Sequence, residues 1–166
     1  MYVTSAAGSY IACCSDDYTP SAGEVLFTDF PTPDQLTTAF PGYAAAALVR
    51  AQSQQIALVS AGCSSAITGG FQSSALGAPY TYPSNQTDQA NLIGLVAGGI
   101  GGKFWCSDAS GKWDYISHTA AQALKVLQDG ISAKESLIIQ NAALAAQILA
   151  ATSTEVAQSI VWALPS

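Results

Sequence analysis

Lys103-Phe104-Trp105-Cys106-Ser107-Asp108-Ala109-Ser110-Gly111-Lys112-Trp113-Asp114-Tyr115-Ile116-Ser117 reads as two strands joined by a tight turn. Asp108 suits the first position of a type I turn, and Gly111 supplies the left-handed residue that closes such a loop as a bulge. That turn fixes the register. With Asp108 facing Lys112, Trp105 stands opposite Tyr115, Ser107 opposite Trp113, Phe104 opposite Ile116 and Cys106 opposite Asp114. Alternation then puts Trp105, Trp113 and Tyr115 on one face and Phe104, Cys106 and Ile116 on the other. A lone hairpin is unstable in water, and a small domain covers one side of it. The smaller face is therefore expected inside, leaving Trp105 as the main anchor for a partner, with Trp113 and Tyr115 beside it.

Upstream of the hairpin, Gly98-Gly99-Ile100-Gly101-Gly102 is expected to be a loop, since each glycine there loses much backbone entropy in regular structure. It is not a phosphate loop, because Lys103 is followed by Phe104 rather than Ser or Thr. Thr87 with Asp88 is expected to open a helix through Asn91, Leu92, Leu95 and Val96. Phe71 to Tyr82 reads as two short strands around Gly77-Ala78. Downstream, three capping boxes predict helices over about 120–128, 133–150 and 153–164: Thr119 with Gln122, Ser132 with Glu135, and Thr152 with Glu155. The middle one is expected to pack through Leu137, Ile138, Asn141, Ala145, Ile148 and Leu149.

The Ala-rich, proline-free run Tyr43–Ile67 predicts a longer helix, ended by Gly69-Gly70. Val49, Gln52, Ile56, Val59, Cys63 and Ala66 recur along it at alternating spacings of three and four. That is either a coiled-coil seam, which makes Val49, Ile56 and Val59 partner-binding residues, or the buried stripe of an amphipathic helix. Gly62, costly inside a helix, marks a close approach of another backbone. Before this helix, Thr32-Pro33-Asp34-Gln35 is a capping box for a short helix that Pro41-Gly42 stops, and residues Tyr2 to Phe30 read as short strands, the last being Val25-Leu26-Phe27. The expected fold is α+β: mainly helical, with a small β part at the amino terminus (residues 1–42) and a helical domain (residues 43–166) carrying the inserted hairpin at 103–117.

The chain has 166 residues, a net charge of -6 and only 10% charged residues, against about 25% in an average domain. Arg50, Lys103, Lys112, Lys125 and Lys134 are too scattered to neutralise phosphates or to form a polybasic membrane segment, so neither nucleic acid nor membrane is expected as a partner. No apolar run approaches the length needed to cross a bilayer. The Ile11-Ala12-Cys13 stretch lacks the basic and apolar regions of a signal peptide, which leads to an expectation of cytoplasmic synthesis. Low charge and Ala-rich helices suggest a covered surface, hence assembly.

Candidate catalytic groups are sparse. His118 is the single histidine, and Cys13, Cys14, Cys63 and Cys106 lack zinc spacing, so no metal or other cofactor is expected and the thiols are expected to be reduced. His118, between a serine and a helix-opening threonine, is read as holding a turn. Asp16-Asp17 and Asp108 fit turns better than a glycosidase pair. The chain is read as nonenzymatic.

One resemblance spans most of the sequence. Gly70-Phe71, Ser73-Ser74-Ala75-Leu76-Gly77, Tyr80-Thr81-Tyr82-Pro83, Asp88-Gln89-Ala90-Asn91-Leu92, Gly111-Lys112-Trp113 and His118-Thr119-Ala120-Ala121-Gln122 occur in this order. The series resembles a domain of unknown activity found in small tail-fibre-region proteins of tailed bacteriophages, strongly after about Ala61. More loosely, Gly23-Glu24-Val25-Leu26-Phe27 and Phe40-Pro41-Gly42-Tyr43 look like tail fibre assembly proteins. The resemblance implies a structural subunit or fibre assembly chaperone that packs on a tail fibre or baseplate protein, made in the host cytoplasm and carried in the virion tail. Because tail fibres are commonly trimers, it also implies a homo-oligomer or a three-fold partner. The alternatives are a receptor- or glycan-binding protein at the fibre tip, which requires exposed Trp and Tyr beside Asp or Asn, and a tail-associated hydrolase.

Overall fold

A computed structural model describes residues 1–164, apart from the side chain of Ala6; Pro165 and Ser166, the end of the expected second domain, lie outside the described residues. The fold is α+β and mainly helical. Among the described residues, contacts divide it into two compact units, Met1–Gln54 with Ala151–Ser159, and Gln55–Ala150 with residues 160–164. The division falls inside a helix, after Gln54, and a later segment returns to the first unit.

In the first unit, β1 (Tyr2–Ser5), β2 (Tyr10–Cys13) and β3 (Val25–Phe27) form an antiparallel sheet in the order β2-β1-β3. α1 (Pro33–Ala39) starts as expected: Gln35 N donates to Thr32 Oγ1 at 3.3 Å while Thr32 N donates to Gln35 Oε1 at 2.8 Å. It buries Leu36, and Phe40 follows into the core. α5 (Thr154–Ser159) belongs to this unit and buries Ala157. Its cap is Ser153, whose Oγ accepts from Val156 N at 3.3 Å, so the expected Thr152 box is displaced by one residue and the helix stops well before Leu164.

α2 (Tyr43–Gly69) begins in the first unit and ends in the second. Gly70, at φ 114°, terminates it where a Cβ would lie 2.7 Å from the Tyr82 carbonyl. In the second unit Val59 and Cys63 are buried along one side of α2, and the Cys63 thiol donates to the Leu137 carbonyl at 3.5 Å. Gly62 does admit a close neighbour, but it is the Trp162 indole rather than a backbone: a Cβ there would sit 2.5 Å from Trp162 Cγ.

α3 (Gln86–Ala97) begins before the expected Thr87, because Asn85 with Asp88 forms the capping box. α4 (Ala120–Ala150) is one helix where two were expected. The Thr119–Gln122 box opens it, whereas Ser132 lies mid-helix, its carbonyl accepting from Ser136 Oγ at 3.0 Å. Along α4, Ile148 is fully buried and Leu137, Asn141 and Ala145 are half-buried, but Ile138 and Leu149 point outward.

Four strands build the second sheet: β4 (Phe71–Ser73), β5 (Tyr80–Tyr82), β6 (Gly102–Ser107) and β7 (Trp113–His118), antiparallel in the order β4-β5-β6-β7. The hairpin is thus the edge of a larger sheet, joined to β5 through Thr81 opposite Ser107. α3 and α4 pack on each other and α4 on the sheet. Their common core is Tyr82, Leu92, Cys106 and Val126, ringed by Phe71, Val96, Phe104, Ile116 and others.

Candidate functional site

The β6–β7 turn is held by one carboxylate. Asp108 Oδ1 accepts from Ser110 N at 2.9 Å, Ser110 Oγ at 2.6 Å and Lys112 N at 3.1 Å. These bonds, the Ser110 hydroxyl first, hold its carboxyl below the ordinary carboxylate range. Gly111 takes φ 81°, and Asp108 N donates to the Lys112 carbonyl at 3.1 Å. The register is the one the turn dictates: Trp105 opposite Tyr115, Ser107 opposite Trp113, Phe104 opposite Ile116 and Cys106 opposite Asp114.

Phe104, Cys106 and Ile116 therefore turn into the core, Cys106 without any exposure. On the other face Trp105 is 43%, Trp113 40% and Tyr115 62% exposed. Trp105 stacks on Trp113 with ring centroids 5.9 Å apart and tilts against Tyr115 at 4.9 Å. Rings this close leave no slot between them for a further ring or a proline; they form one continuous platform. Beside it opens a cleft of about 150 Å³, whose lining includes Asp88, Asn91 and Leu95 of α3 with Lys103, Trp105 and Tyr115 of the hairpin.

The remaining sequence candidates fall elsewhere. Val59 is fully buried by this chain, so it belongs to the core and presents nothing to a partner; the stripe is the inward side of an amphipathic helix there. Ile56 is half-buried and Val49 is exposed. Gln52 Nε2 donates to the Ala151 carbonyl at 3.2 Å.

His118 does more than hold a turn. It ends β7, is buried, and joins two strands: Nδ1 lies 2.9 Å from the Ile116 carbonyl and Nε2 2.7 Å from the Tyr82 hydroxyl. A carbonyl can only accept, so Nδ1 carries a proton, and in the neutral ring Nε2 accepts from the Tyr82 hydroxyl. Burial first, then Cys106, pushes the Tyr82 hydroxyl well above its ordinary range. Burial also raises the Cys106 thiol. Sequence reasoning missed this link because Tyr82 and His118 are far apart in the chain, and no local signal joins them.

All four cysteines are free. Among the described residues there is no cluster of three or more His, Cys, Asp or Glu that could hold a metal, and no helix long and apolar enough to cross a membrane. Comparison with curated proteins and with solved structures gives no significant match. Residues 50–161, which include both the aromatic platform and its cleft, match a domain of unknown function (DUF4376), and the chain belongs to that family.

Proposed function

We propose that this chain is a nonenzymatic phage tail component that packs on a tail fibre or baseplate protein, as a structural subunit or a fibre assembly chaperone. One observation carries the reading: three aromatic side chains form a continuous exposed platform on a hairpin whose opposite face is core. Aromatic residues dominate binding hot spots because they bury a large area at small entropic cost. The order of motifs along residues 70–122 supports the tail as the place of action, and the low charge supports an assembled surface. A role without catalysis is supported by Cys106, which is sealed from solvent with its thiol pushed toward the protonated form, the reverse of an activated nucleophile. In this reading the chain is made in the host cytoplasm, is oligomeric or bound to a three-fold partner, and is carried in the virion tail.

The test is mass spectrometry of purified particles beside a pull-down from infected cells, with wild-type and Trp105→Ala chains. Trp105→Ala is expected to weaken partner capture by about 2 kcal/mol or more. Undiminished capture and incorporation of the variant would overturn the reading.

A second reading is favoured by the cleft. Asp88, Asn91 and Lys103 stand beside Trp105 and Tyr115, the combination that lets a sugar stack its apolar face while its hydroxyls find hydrogen-bond partners. Binding of glycans on an array, lost in Asn91→Ala and retained in Val49→Ala, would support this receptor-binding reading over packing on a tail protein.

A further inference from the structure

A second opening in the same unit lies between α3 and α4 and shares Phe71 and Leu92 with the cleft beside the platform. It has a volume of about 180 Å³ and is lined by Phe71, Leu92, Ile93 and Leu127 with the buried Ser84, Gln89, and the exposed Ile131 and Lys134. Phe71 can lie here because residue 130 is glycine: a Cβ would come within 2.8 Å of its ring. Phe71 in turn stacks on Tyr82, with ring centroids 5.7 Å apart, which ties this wall to the sheet core.

The polar lining is unequal. Gln89 Nε2 is committed to the Ser84 carbonyl at 2.8 Å. Lys134 is exposed and, among the described residues, makes no ion pair or hydrogen bond. One of only five cations in a chain of net charge -6 thus stands unpaired at the mouth of an apolar crevice. An apolar cavity of about 150 Å³ is large enough to hold benzene, so this one has room for a ring or a short aliphatic chain.

We infer that the α3–α4 crevice binds a small amphipathic carboxylic acid, its apolar body against Phe71, Leu92 and Leu127 and its carboxylate at Lys134. Apolar burial supplies most of the affinity, and the cation selects the acid over a neutral or cationic molecule of the same length. Phe71 and Leu92 also line the cleft beside the aromatic platform, but none of Trp105, Trp113 and Tyr115 lines this crevice, so the inference is tested separately from the proposed tail role.

The experiment is an amide NMR titration of the full chain with sodium octanoate, 1-octanol and octylamine. Octanoate is expected to give saturable shifts at Leu92, Ile93, Leu127 and Ile131, with octanol about threefold weaker, the discrimination an exposed ion pair supports, and octylamine weaker still. Lys134→Glu should reverse the order of octanoate and octylamine, and Ile131→Glu, at an exposed rim position, should weaken octanoate without unfolding the chain. Trp105-dependent partner capture should be unchanged in both variants. Shifts that do not saturate, shifts centred elsewhere, equal binding of all three probes, or an unchanged order in Lys134→Glu would each overturn the inference.

Discussion

At the scale of single residues, Tyr82 shows how one hydroxyl can hold a sheet together. It is almost wholly buried and donates to His118, whose other nitrogen is used on the Ile116 carbonyl. Tyr82→Phe keeps the ring and its stacking on Phe71 but strands the buried His118 Nε2. The expected loss is about 1–3 kcal/mol of unfolding free energy, the desolvation cost of an unpaired buried acceptor, read from the urea midpoint. An unchanged midpoint would mean that water replaces the bond. Asp129 links α4 to β4, accepting from Ser73 Oγ at 2.7 Å and pairing with Lys125. Burial raises its carboxyl, but donation by Lys125 and Ser73 outweighs this, and the net direction is below 3.8. A carboxyl lowered on folding stabilises the fold above its unfolded value, and that contribution is lost as pH falls through the lower, folded value. Asp129→Asn should therefore reduce the melting temperature at pH 7 and flatten its decline below about pH 4, the ordinary carboxylate range. Parallel melting curves for the two chains across this window would refute the assignment.

At the scale of elements, α4 stages a contest at Gly130. Alanine there would gain about 1 kcal/mol of helix propensity, but its methyl would press on the Phe71 ring at 2.8 Å. Overpacking of this kind costs about 1–3 kcal/mol, so Gly130→Ala should destabilise on balance, by calorimetry; stabilisation would show that Phe71 moves freely. Legibility also varied by element. The hairpin could be read residue by residue, since Asp108 and Gly111 fix a local turn and the turn fixes every pair beyond it. The Thr32 and Thr119 boxes were equally local and were read correctly. Ser132 with Glu135 matched the same pattern but sits mid-helix, because α4 runs on through Gly130, where close packing on Phe71 overrides a low local helix propensity. Asn85 with Asp88 escaped because an aspartate, rather than Glu or Gln, closes its box. The junction of β5 with β6 rests on Thr81 opposite Ser107, far apart in sequence, and a non-local pairing leaves no periodic trace. That Trp105, Trp113 and Tyr115 share one face was legible for the same reason as the hairpin. Val59 was not placed correctly, because a three-four spacing is shared by seams between chains and stripes within one.

At the scale of the whole molecule, an apolar surface is combined with little charge to keep copies apart. Trp105, Trp113 and Tyr115 are exposed together, Ile93 and Ile131 form another apolar spot, and only 10% of residues are charged. At pH 7 the net charge of -6 is the main electrostatic barrier to association, and from the sequence it vanishes near pH 4.3. Repulsion should therefore fade as the acids are protonated, while the apolar contacts keep their strength. Static light scattering of the isolated chain is expected to rise steeply between pH 6 and about pH 4. If the platform is the dominant contact, a chain carrying Trp105→Ser, Trp113→Ser and Tyr115→Ser should scatter less over the same range. Its folded stability should be lower, because Trp105 and Trp113 are more than half buried and stack on each other, so the two chains are compared where circular dichroism shows both folded. Flat scattering through the isoelectric point would show that the exposed rings are not adhesive. Equal scattering by both chains would assign self-association to the helix surfaces instead, and would remove the platform from any account of how copies of this protein meet.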